Sequence, residues 1–171
     1  KREHIGYYPG PHVSIQFGGS RPQTCNAAER RARIILLLEI AGVGGAICPP
    51  PCCDPSLALL RVPGVIVLGA GEPDIFKNYT TEQTVTLFVE QRFLRETASS
   101  DVTGVTVGAL SELTDKDDLV APLCNIFRKL SHRAQRPNSE YVDALGIAMA
   151  AHVLHHFFGG EAPAGRRDGL Q

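Results

Sequence analysis

This 171-residue chain has no surplus of positive charge: 17 Lys and Arg stand against 18 Asp and Glu, a formal net charge of -1. Phosphate binding needs a basic face, so the balance argues against the chain contacting nucleic acid by itself. Long apolar runs are missing too. The most apolar segment, Ile34 to Ile40, already contains Glu39 and falls far short of the roughly 20 residues of a membrane-crossing helix. No charged-then-apolar leader opens the chain, because Lys1-Arg2-Glu3-His4 runs into glycine, proline and polar residues. Lys1 in place of methionine suggests a trimmed start. Five cysteines, at positions 25, 48, 52, 53 and 124, form an odd set without framework spacing. A reduced, cytoplasmic setting with no membrane partner is the expectation.

Catalytic signatures are equally scarce. Gly42-Val-Gly44-Gly45 and Gly69-Ala-Gly71 match neither a P-loop nor a full Gly-x-Gly-x-x-Gly turn, so both read as turns between strands. No Gly-x-Ser-x-Gly elbow occurs. Cys48, Cys52 and Cys53 lack Cys-x-x-Cys spacing, and Asp54 beside Cys53 disfavours its thiolate. They read as incidental thiols of a loop. His152 and His156 have the i, i+4 spacing of metal ligands, but no acidic residue lies between them and no third ligand is indicated. They read as packing and helix-terminus residues.

What is present is enough apolar sequence, 43 %, for one domain with a real core. No internal repeat is visible. The first half reads as strands. His12 to Phe17 alternates apolar and polar residues and ends at Gly18-Gly19. Arg33 to Ile40 is a continuous apolar run that fits a buried strand or the end of a helix starting after Asn26; the glycines that follow at once and the Ile/Leu content favour strand. Residues 48–56, with four prolines, form an exposed loop. Ser56 to Arg61 and Val65 to Leu68 are two short strands joined through Pro63-Gly64, and Gly69 to Pro73 breaks the chain again. Thr84 to Val89 is β-branched and extended.

After Gln91 the pattern turns helical. Phe93 to Ala98 forms a short helix and Val102 to Val107 a short extended piece. Thr114-Asp115-Lys116-Asp117 opens a helix with acidic residues in its first turn, carrying the apolar stripe Leu119, Leu123, Ile126, Phe127 and Leu130. Arg136-Pro137-Asn138 turns the chain into a last, alanine-rich helix, N-capped by Ser139 and closed by Gly159. Its rows are Tyr141, Leu145, Ala148, His152 and His155, with Val142, Met149, Val153 and His156 adjoining.

Several strings resemble the N-terminal sensor domain of AraC-family transcriptional regulators. Arg61-Val-Pro-Gly-Val-Ile-Val-Leu-Gly-Ala-Gly-Glu-Pro73 is similar to the family's strand pair around a Pro-Gly turn. Thr86 to Leu94 is similar to its strand leading into a short helix, and Asp117 to Leu130 to its first bundle helix. Tyr141-Val-Asp-Ala-Leu145 with Ala150-Ala-His-Val-Leu154 resembles a Tyr-x-x-x-Leu…Ala-x-His-Leu-Leu pattern. The likeness covers residues 61 to 158, with residues 1 to 60 following by hydrophobic pattern only. The chain departs from the family at Gly69, where proline is common, at Asp74, where histidine is common, and at His155-His156, where arginines are common.

The resemblance implies an α+β chain. A cupin-like effector-binding β domain would span residues 1–111, a helical dimerisation hairpin 112–160, and a linker 161–171 toward a DNA-binding domain not contained here. It implies an allosteric sensor for a small-molecule effector and not an enzyme. Inward-facing Ser14, Gln16, Arg33, Glu39 and Arg61 would contact the effector. A homodimer would form through Tyr141, Leu145, Ala148, Met149 and His152, with Ala144 and Ala151 permitting close approach, in an isologous arrangement. DNA would be bound only through the separate domain, and no cofactor is expected. The rival is a stand-alone cupin-like binding protein or enzyme. A catalytic cupin needs a His-x-His pair, and this chain has none; His4 and His12 are its only histidines before residue 132.

Overall fold

A computed structural model describes residues 6–17, 31–38, 45–46, 61–72, 84–131 and 137–159. Strands β1 (Gly6–Tyr8), β2 (Val13–Phe17), β3 (Ala32–Leu37), β4 (Gly45–Ala46), β5 (Arg61–Val62), β6 (Gly64–Leu68) and β7 (Thr84–Val89) precede helix α1 (Gln91–Thr97). Then come β8 (Val105–Ala109), α2 (Leu110–Lys116), α3 (Val120–Ser131) and α4 (Ser139–Phe158). Six strands form one antiparallel sheet in the order β1-β2-β7-β3-β6-β8, while β4 and β5 pair separately. The six-stranded sheet is open, with β1 and β8 as its edges. Among the described residues no helix is long and apolar enough to cross a membrane.

The sequence of each strand follows from its place in the sheet. Central β3 and β6 are nearly continuous runs of Ile, Leu and Val because both of their faces are buried. Thr84-Val-Thr-Leu-Phe-Val89 suits a pleated central strand through its β-branched and aromatic residues. The pleat sends Val13, Ile15, Phe17, Ile34, Leu36, Val65, Val67, Val85 and Leu87 to one face. There they join Leu94, Leu113, Phe127, Met149, Val153 and Leu154 in a single core. Helix α4 lies across β1, β2 and β7, and α2 packs on β6 and β8. Arg128 of α3 ties that helix to the end of β3 by donating to the Leu38 carbonyl at 3.2 Å.

Several boundaries differ from expectation. Thr114 to Lys116 is the last turn of α2 and not the opening of a helix. Asp117 then accepts a hydrogen bond from the Leu119 N–H at 3.0 Å, and α3 begins at Val120. The start of α2 was hidden because it follows β8 directly and its N-cap, Ala109, has no capping side chain. The core stripe shifts accordingly: Val120, Cys124, Phe127 and Leu130 are buried, while Leu119 is 59 % exposed. Asn138, not Ser139, caps α4, accepting from the Glu140 N–H at 2.8 Å. Gly159 closes α4 with extended backbone and not a left-handed turn.

Pro63-Gly64 does not join a hairpin. It is the point where the chain leaves β5, paired with β4, for β6, paired with β3 and β8. Proline has no N–H for a ladder, which suits it to such a break. Its carbonyl instead accepts from Leu110 N–H at the head of α2, at 3.2 Å. The proposed division at residues 111/112 falls inside α2, and one apolar core runs from the sheet into all four helices. The Cys-Pro loop at 48–56, the segment 161–171 and the turn residue Arg136 lie outside the described residues.

Candidate functional site

The sheet's other face is buried as well, and it carries polar side chains among apolar ones. In β2 the alternating pattern of Val-Ser-Ile-Gln-Phe would ordinarily send Ser14 and Gln16 to water. They are instead 2 % and 5 % exposed, and Arg33 on β3 is 4 % exposed. The registers bring these residues together. Ser14, Phe88, Arg33 and Leu68 form one cross-strand row, and Tyr7, Gln16, Thr86, Ile35 and Ile66 form the next. Buried Thr84 occupies a third row with Leu37.

Arg31, just before β3, has the same parity as Arg33 and reaches over this face. Its guanidinium donates to the Ser14 hydroxyl at 3.2 Å and to the Tyr7 hydroxyl at 3.5 Å. It lies 5.1 Å from the Phe88 ring centroid, a cation–π arrangement, and 3.5 Å from the Glu90 carboxylate. Tyr7 and Phe88 meet edge to face at 6.2 Å. Burial alone would raise the Tyr7 pKa. Hydrogen bonds from Arg31 and Ser14 outweigh it and hold the phenol below its usual value.

Arg33 points the same way and donates to the Glu72 carbonyl. That contact fastens the turn after β6, where Glu72 N–H bonds the Gly69 carbonyl at 3.2 Å and Gly71 takes a φ of 86°. A side chain would be strained at that φ, so glycine is needed there. Gln16, by contrast, makes no side-chain hydrogen bond to a described residue. Its amide is not among the fully enclosed polar groups left without a partner, so it keeps contact with water and stays available to a ligand.

Of the effector contacts expected from sequence, Ser14, Gln16 and Arg33 share this face. Glu39 lies outside the described residues. Arg61 falls in β5, in the small sheet, with only its backbone described. Sequence reasoning missed Tyr7, Arg31, Thr84, Phe88 and Glu90. Arg31 was recoverable from its spacing of two from Arg33; Tyr7 needed the β1–β2 register.

The expected dimer residues are placed differently. Leu145 and Met149 belong to the chain's own core, so they offer no surface to a partner, a correction to the expected interface. The helix had to bury a face on the sheet, and that face is Val142, Leu145, Gly146, Met149, Ala150, Val153 and Leu154. Tyr141 is 48 % exposed, and Ala148 is half-buried. The His152 ring nitrogen Nδ1 contacts the Asp117 carboxylate, and His156 lies 3.9 Å from Glu112. The two histidines thus each face a different carboxylate from α2 or its C-terminal cap. Among the described residues no three of His, Cys, Asp and Glu gather as a metal site. Compared with known proteins, the chain matches no family model, no curated protein and no solved structure.

Proposed function

We propose that this chain is the effector-sensing and dimerisation part of an AraC-type transcription regulator, working in the cytoplasm on a small polar molecule. The observation that carries the reading is the second buried face: Ser14, Gln16, Arg33 and Thr84 are buried there among apolar residues, a mixed lining of the kind that small-molecule sites use. In this reading the six-stranded sheet is a wall of a cupin-like barrel, and α3 with α4 forms the helical hairpin that follows it. Effector binding changes how the helices on the opposite face are held and so biases a separate DNA-binding domain. Self-association uses the outward row of α4 around Tyr141, Ala144 and Ala148, since the inward row is occupied.

A thermal-shift screen of polar metabolite-sized compounds, followed by calorimetry, tests this on the wild type and on Gln16→Leu. Leucine at 16 keeps the side chain's bulk and removes no hydrogen bond to a described residue, so the variant is expected to fold. The expected result is a compound that stabilises the wild type and binds the variant at least tenfold more weakly. A hit with the same affinity for both proteins would remove the polar face as the binding site. A screen without hits would count against the sensor reading.

A further inference from the structure

At the rim of the polar face Arg31 and Glu90 make a loose ionic contact. At 3.5 Å it is well beyond the 2.7–2.9 Å of a strong charge-assisted bond. Glu90 is half-exposed at the rim, so its carboxylate can return to water at little cost, and such pairs contribute little. The guanidinium also donates to the Ser14 and Tyr7 hydroxyls and lies over the Phe88 ring, three contacts that persist without Glu90. Its Nε–H makes no hydrogen bond to a described residue. One row along, on the same face, stands the Gln16 amide, without a partner among the described residues and 5 % exposed. The Tyr7 and Phe88 rings, which meet edge to face, lie in these same two rows.

We infer that the effector is a small organic carboxylate with an apolar body, taken up by Arg31 in exchange for Glu90 and fixed at its other end by the Gln16 amide. This rests on the sensor reading above and names its ligand class. A planar guanidinium with donors to spare suits a carboxylate, and the two rings suit an apolar body.

The exchange also reaches the helices. Glu90 is the residue from which α1 springs: its N–H donates to the His12 carbonyl at 2.9 Å, and its carbonyl accepts from Leu94 N–H at 2.9 Å. Leu94 is in the common core, and Ser99, just past α1, donates to the Phe158 carbonyl at the end of α4 at 3.0 Å. An anion that frees the Glu90 side chain therefore acts at the root of the helix that abuts α4.

Matched acid and amide probes test the inference: phenylacetate with phenylacetamide and hexanoate with hexanamide, titrated calorimetrically into the full 171-residue chain. At least one acid is expected to bind tenfold or more tighter than its amide. Glu90→Gln should tighten that acid several-fold and leave the amide unchanged, because a competing carboxylate has been removed. Arg31→Gln should weaken the acid by about ten- to a hundredfold. Should Arg31→Gln fail to fold, Glu90→Gln still decides. An amide binding as tightly as its acid, or an acid indifferent to Glu90→Gln, overturns the carboxylate inference. If an amide binds in a manner lost in Gln16→Leu, the sensor reading survives that result. Binding by none of the four probes also overturns the inference, and the broader polar screen then judges the sensor reading alone.

Discussion

Two titratable groups outside the polar face are shifted by burial, and each makes a prediction at the scale of a single residue. Burial pushes the Cys124 thiol up to about 11, against a smaller opposite effect of Arg128. The thiolate is the reactive form, so peptide mapping after treatment with a thiol reagent at neutral pH should find Cys124 unlabelled until the protein unfolds. A group whose folded pKa is raised stabilises the fold below its unfolded value and loses that contribution as pH rises through the folded one. Stability should therefore fall between about pH 9 and about pH 11, and fall less steeply in Cys124→Ala. Asp143 on α4 is raised by burial as well, with His12 opposing, and its Oδ1 is buried with no hydrogen-bond partner among the described residues. By the same sign, its ionised form at neutral pH works against folding. Asp143→Asn should raise the melting temperature at pH 7 and erase the difference at low pH, where both side chains are neutral.

At the scale of the element, α4 shows how a helix can be easy to read and hard to orient. Its extent, 139 to 158, follows from the capping region before it and Gly159 after it. Its inward face did not, since an alanine-rich helix with apolar residues on more than one row offers several candidate stripes. Gly146 settles the choice. A Cβ there would come within 2.7 Å of Ile15 Cδ1 and 3.0 Å of its Cγ1, so the glycine lets α4 sit directly on β2. Glycine inside a helix costs about 1 kcal/mol relative to alanine, a loss that the close approach offsets. Gly146→Val should destabilise the protein by about 1–3 kcal/mol in urea unfolding, and a neutral result would mean α4 does not lie this close. Strands were easier. β2 and β7 were visible from alternation and β-branching, properties of neighbouring residues, while the apolar run of β3 needed the glycines after it to favour strand over a helix end. The α2–α3 break was not visible, because the signal for it is where the Asp117 side chain bonds.

Across the whole molecule, the helices are joined to one another by polar contacts at the rim of the core. His152 with Asp117, and more distantly His156 with Glu112, tie α4 to α2 and the connection after it. Both pairs are partly exposed, so His152→Ala is expected to reduce stability by only about 0.5–1 kcal/mol. Hydrogen exchange should quicken at the C-terminal half of α4 in that variant and stay unchanged in β3 and β7. Uniform quickening would show that the contact supports global stability and not local docking.

The sequence by itself determined the α+β composition, most of the strands, the last helix and the presence of polar residues at every second position of β2. These are local properties, written in spacing, turn residues and β-branching over a few neighbours. Only the tertiary structure decided that Ser14 and Gln16 are buried, that Arg31 and Tyr7 join them, and that Leu145 and Met149 face the sheet. Period two says that Ser14 and Gln16 share a face but is silent on what covers it. The order β1-β2-β7-β3 is set by pairings between residues dozens of positions apart, and that order places Tyr7, Ser14 and Arg31 within hydrogen-bonding reach.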